Sequence, residues 1–116
     1  MKALIILNDP PYGTERSYNG LRLALSLAKI EDTELRLFLM ADAVVCAKVG
    51  HKTPEGYYNL ERMLRGLVAK EVPVGACGTC MDARGVTDEE LVPGAHRSTM
   101  AELTQWTLWA EKVVSF

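Results

Sequence analysis

The segment Cys77-Gly78-Thr79-Cys80 holds two thiols three positions apart, with a glycine directly after the first. Thiols so spaced can exchange with each other or with a third sulfur, because a thiolate attacks a disulfide or persulfide sulfur. The attacking form is the thiolate, so the chemistry depends on lowering a pKa that is ordinarily about 8.5. If residues 79–83 open a helical turn, its amide groups face the Cys77 sulfur and favour the anion. Arg84 would add to that positive potential, and Asp82 would oppose it. Gly75 and Gly78 would allow close backbone approach and a sharp turn.

The third thiol reads differently. Cys46 lies within Val44-Val45-Cys46-Ala47, an apolar helical turn, and is expected in the core. Cys46, His51, Cys77 and Cys80 are acceptable zinc ligands, but a strong zinc pattern offers two close ligand pairs and only one is present. No metal is expected, and His51 and His96 read as solvated loop residues. There is no phosphate-binding glycine motif, no Gly-x-Ser-x-Gly elbow and no distinctive pair of carboxylates. No cofactor is implied.

Elements must bring these residues together. The apolar runs Ala3 to Leu7, Leu35 to Met40 and Val72 to Ala76 read as strands buried on both faces of a parallel sheet. Between them, Tyr18, Leu21, Leu25 and Ala28 share a face of a helix over about 16–31. Leu60, Met63, Leu64, Leu67 and Val68 share the apolar face of another. Asp42 is expected to cap a short helix through Val49 that Gly50 stops. Thr99 and Glu102 form a capping-box pattern opening a helix to about Ala110, with Leu103, Trp106, Thr107 and Ala110 inward. Val113 to Phe116 reads as a final strand, and Leu91-Val92 as a possible short one. Alternating strands and helices predict an α/β fold: a doubly wound, mostly parallel sheet of about five strands with helices on both faces. Ligand-handling groups in such sheets gather beyond the carboxyl ends of the strands. That rule brings Asn8, Asp9 and Asp42 toward Cys77, Gly78, Thr79, Cys80 and Arg84.

The chain has 116 residues, 48% of them hydrophobic and 24% charged, which predicts one globular domain over 1–116. A net charge of −2 with no basic block gives no nucleic-acid footprint. The first apolar run is too short to span a membrane and lacks a signal-peptide cleavage pattern. The cytoplasm is therefore expected, where thiols stay reduced. Trp106 and Trp109 cannot both face one helix's core, so Trp109 is a candidate for burial by a partner subunit.

The segment from Cys77 to Gly85, Cys-Gly-Thr-Cys-Met-Asp-Ala-Arg-Gly, resembles the DsrE/DsrF family in its small YchN-like branch. The start Ala3-Leu4-Ile5-Ile6-Leu7-Asn8, the segment Tyr58-Asn59-Leu60, the helix start Met100-Ala101-Glu102-Leu103 and the Val-Val-Ser-Phe end are similar too, so the likeness spans essentially the whole chain. It implies a Rossmann-like three-layer α/β/α sandwich assembled as a homo-oligomer, whether dimer, trimer or hexamer. It also implies a sulfur relay, in which one cysteine carries a persulfide between a donor and an acceptor protein. The carrier position, eight before the glycine of the Arg-Gly pair, is Cys77. Cys80 has no counterpart in all such relays and leaves room for an internal disulfide. A thiol–disulfide redox or sensor protein, and a non-catalytic oligomeric binding module, stay open beside the relay.

Overall fold

The computed structural model describes all 116 residues. Five strands form one sheet: β1 (Lys2–Leu7), β2 (Glu34–Leu39), β3 (Val74–Cys77), β4 (Ala95–Ser98) and β5 (Lys112–Ser115). Their order is β4-β3-β2-β1-β5, and every pairing is parallel. The helices are α1 (Arg16–Leu27), α2 (Leu60–Ala69), α3 (Gly78–Ala83) and α4 (Met100–Trp109). Two 3-10 segments, Ala41–Ala47 and Asp88–Glu90, complete the chain.

The register explains the layers. Ile6 pairs with Phe38 and Leu7 with Leu39, so alternate residues of neighbouring strands share a face. Phe38 meets Trp106 of α4 edge-on, at 6.1 Å between centroids. On the opposite face, α1 comes so close that a Cβ at Gly20 would sit 2.3 Å from Leu7 Cδ2. Because α2 packs on α1, both lie on that face, opposite α4. The result is the expected three-layer α/β/α sandwich, with the sheet wholly parallel. Leu4, Ile5, Leu7, Leu37 and Leu39 are fully buried, as strands covered on both faces require.

Several boundaries differ from the sequence expectation, each for a local reason. α1 ends at Leu27, not near 31, and Asp32 takes φ 62° to reverse the chain into β2. β3 starts at Val74, because Pro73 has no N–H to donate, so Cys77 is the strand's last residue. Asp42 is not a cap. Met40 holds the N-cap position of the first 3-10 segment, with no side-chain cap bond. The expected strand at Leu91-Val92 is only an isolated antiparallel bridge between Leu91 and Lys48. β4 instead comes from Ala-His-Arg-Ser, an edge strand with only Ser98 buried and therefore no apolar signal.

At α4, Thr99 accepts from the Glu102 amide at 3.1 Å, but the Glu102 side chain does not return the bond. The complete capping box is Thr87 with Glu90. Leu103 and Trp106 face inward as expected, whereas Thr107 is exposed. Trp109 is half-buried under the Arg36 guanidinium, 3.9 Å from its ring centroid. No helix is long and apolar enough to cross a membrane.

Candidate functional site: a thiol pair at the end of the third strand

Cys77 pairs with Ser98 at the carboxyl end of β3, and α3 begins with the next residue. Its sulfur is therefore fixed by the sheet on one side and by the first turn of a helix on the other. The register turns Cys77 to the same face as Phe38, toward α4. The Cys77 side chain lines a cavity of about 230 Å³ with Phe38, Thr79, Arg97, Ser98 and Met100. Cys77 is buried but not sealed, and Cys80 is half-buried. Neither is in a disulfide.

The two thiols have opposite acid–base character. Burial pushes the Cys77 thiol up, yet hydrogen bonds from the Thr79 hydroxyl, the Cys80 thiol and the amides of Cys80 and Thr79 outweigh it, leaving the pKa below its ordinary value. The Thr79 Oγ1 lies 3.3 Å from the Cys77 sulfur. Burial and the neighbouring Cys77 raise Cys80, against weaker lowering by the Ala41 backbone and Arg84. The pair therefore loses its first proton from Cys77. The helical turn expected after the first cysteine supplies the amides.

The structure sorts the remaining expected residues into three groups. Gly78 and Thr79 touch the site directly. Asp42 and Arg84 form a buttress behind Cys80: Arg84 Nε donates to Asp42 Oδ1 at 2.8 Å, and Arg84 Nη1 to the Cys80 carbonyl at 3.1 Å. Arg84 thus serves Cys80, not Cys77 as its sequence position implied. Asn8 and Asp9 are engaged elsewhere. Asn8 Nδ2 donates to Ser115 Oγ and the Phe116 carbonyl, binding β1 to the chain end. Asp9 accepts from Thr14 Oγ1 at 3.0 Å, and its carbonyl accepts from Ser17 Oγ at 2.6 Å, which shapes the turn before α1.

The other candidate ligands do not converge. Cys46 is fully buried in the core, and burial pushes its pKa up to about 12. His51 is not a solvated loop residue: it is half-buried, with Nδ1 2.8 Å from the Tyr12 hydroxyl and Nε2 2.9 Å from the Val45 carbonyl. His96 lies on β4 rather than in a loop, paired with Glu102. No three His, Cys, Asp or Glu side chains are grouped to share a metal ion.

One residue at the site was not foreseen. Arg97, on β4, donates from Nη1 and Nη2 to the two carboxylate oxygens of Asp82, at 2.8 Å each. Asp82, expected to oppose a thiolate, is thereby occupied. The only available signal for Arg97 was its place in a polar strand that hydrophobic periodicity does not detect.

Known proteins of similar sequence and fold identify the lineage. The DsrE/DsrF-like family matches over residues 1–116. Protein YchN of Escherichia coli is 47% identical over 116 residues, covering 99% of this chain and 98% of the relative. Protein MJ0989 of Methanocaldococcus jannaschii is 35% identical over the full length of both chains. The crystal structure of the E. coli ychN protein superposes with a TM-score of 0.94, covering 99% of this chain and 98% of that one. The Methanobacterium thermoautotrophicum protein MTH1491 shares the fold with a TM-score of 0.73 at 13% identity, covering 99% and 97%. This chain belongs to the DsrE/DsrF-like family.

Proposed function

We propose that the protein is a sulfur carrier in which Cys77 accepts and passes on a sulfane sulfur. The observation that carries this reading is the unequal thiol pair: a thiol shifted toward its anion, open to a cavity, beside a second thiol that stays protonated. In loading, the Cys77 thiolate attacks the outer sulfur of a donor persulfide. A new sulfur–sulfur bond forms on Cys77, the donor's own bond breaks, and the donor leaves as a thiolate. In unloading, an acceptor thiolate attacks the same outer sulfur and Cys77 departs as thiolate. No cofactor enters either step, and the donor and acceptor are partner proteins presenting a reactive cysteine.

Cys80 offers a second exit. Once deprotonated, it can attack the inner sulfur of the loaded Cys77, forming the Cys77–Cys80 disulfide and expelling hydrosulfide. An external dithiol must then reduce the protein. Such exchange suits a reducing compartment, and we place it in the cytoplasm. We further propose self-association through α4 and β5, where Leu108 is 82% exposed and Val113 46% exposed.

Intact-mass measurement after exposure to a small persulfide donor tests the reading. One added sulfur atom is expected on Cys80→Ala, the adduct or the Cys77–Cys80 disulfide on the native protein, and neither on Cys77→Ala. A reversible dithiol–disulfide couple in the native protein with no sulfur adduct on Cys80→Ala would favour a redox or sensor role instead. Equal adducts on Cys77→Ala and the native chain would overturn the assignment.

A further inference from the structure

Gly78 takes a helical backbone, with none of the positive φ that calls for glycine at Gly85 or Gly94. What it supplies is space: a Cβ there would lie 2.8 Å from Arg97 Nε, 2.9 Å from Cζ and 3.0 Å from Nη2. The guanidinium therefore rests directly on the backbone next to Cys77. Its Nη groups are held by both oxygens of Asp82, with Asp88 Oδ1 3.8 Å from Nη1. The Asp82 side chain is the more exposed partner, 62% against 38% for Arg97. Arg97, Cys77, Thr79, Ser98 and Thr99 line one cavity, in which the Thr79 hydroxyl is 3.3 Å from the Cys77 sulfur.

We infer that Arg97 is a positioning residue of the thiol site, holding positive charge beside an anionic sulfur on Cys77, and that Gly78 is glycine to admit its guanidinium. The inference rests on the carrier reading, which makes Cys77 the attacking thiol and its persulfide an anion to be held. A guanidinium stays charged at every working pH, so it balances that anion both before and after loading. The charged or titratable groups round Cys77 are Cys80 and Asp82 on α3, Arg97 on β4, and Glu102 on α4, which accepts from the Ser98 hydroxyl and pairs with His96. Asp88 acts behind Arg97, and Arg84 behind Cys80.

The test is the pH dependence of alkylation at Cys77 by iodoacetamide, located by peptide mass, on the full chain without any sulfur donor. Arg97→Gln should move the midpoint upward by about one pH unit and slow alkylation at neutral pH about tenfold. Arg97→Lys should recover most of that rate, because it keeps the charge. Gly78→Ala, which displaces the guanidinium while leaving Arg97 in the sequence, should shift the midpoint in the same direction. If Arg97→Gln does not fold, Gly78→Ala reads the same quantity. A lowered Tm with an unmoved Cys77 midpoint would overturn the inference and leave the carrier reading intact. A moved midpoint with no sulfur adduct on Cys80→Ala would remove the carrier reading and leave the charge contact standing.

Discussion

Three thiols of one chain sit in three environments, and their reactivities should separate accordingly. Cys46 has no route to solvent, Cys80 shares its charge unfavourably with a neighbour, and Cys77 receives hydrogen bonds that stabilise its anion. Because the Cys77 pKa lies below the ordinary thiol value, its loading rate should rise with pH and level off below about 8.5. Thr79→Val removes the hydroxyl at 3.3 Å and should raise that midpoint by about half to one unit, read by alkylation against pH. Cys46 predicts an opposite effect on stability. Its folded pKa is raised, so its neutral form favours the fold at every pH below the unfolded thiol value of about 8.5. Above that value the unfolded chain ionises first, and stability declines as pH climbs toward about 12. Urea unfolding at neutral and alkaline pH should show the decline, and Cys46→Val should reduce it.

At the scale of elements, the site depends on β4, a strand with little core of its own. Gly94 leads into it at φ +100°, and a Cβ there would sit 2.2 Å from Val68 Cγ1. Gly94→Ala should therefore cost about 1–3 kcal/mol in chemical denaturation. Glu102 ties the strand to α4: its carboxylate accepts from the buried Ser98 hydroxyl at 2.6 Å and pairs with His96. Glu102→Ala leaves that hydroxyl unpaired, for an expected loss of about 1–3 kcal/mol. Burial raises the Glu102 pKa, but the bonds from Ser98 and His96 outweigh it and leave it lowered. Its contribution is thus complete above about pH 4.3 and fades as pH falls through the lower folded value. This element also marks the limit of what the sequence displays. Runs such as Ala3 to Leu7 and Leu35 to Met40 carry their burial in their composition, and Cys77 is located by the strand it ends. Ala-His-Arg-Ser carries no such signal, because an edge strand buries little. Without β4 there was no way to bring Arg97 to Gly78 and to the cavity that Cys77 lines. Asp42 and Arg84 were legible as neighbours of the thiols, but their mutual ion pair depends on the 3-10 path of 41–47.

Across the whole molecule, the strand order changes direction between β1 and β5, the place where open parallel sheets usually open a crevice. Here that point is closed, since the Asn8 amide and side chain both bond the Phe116 carbonyl. The proposed chemistry instead lies at β3, nearer the opposite edge. The exposed Leu108 and Val113 lie with α4 and β5, and Met100, 60% exposed, reaches from α4 to the thiol cavity. Leu108→Glu should weaken self-association at least about tenfold in sedimentation while leaving Cys77 alkylation unchanged. The central claim concerns which sulfur carries the cargo. Fragment-ion mapping of the native protein after persulfide treatment should find any added sulfur on Cys77 alone, with the remaining chains holding the Cys77–Cys80 disulfide. Sulfur on Cys80 with Cys77 unmodified would contradict the account.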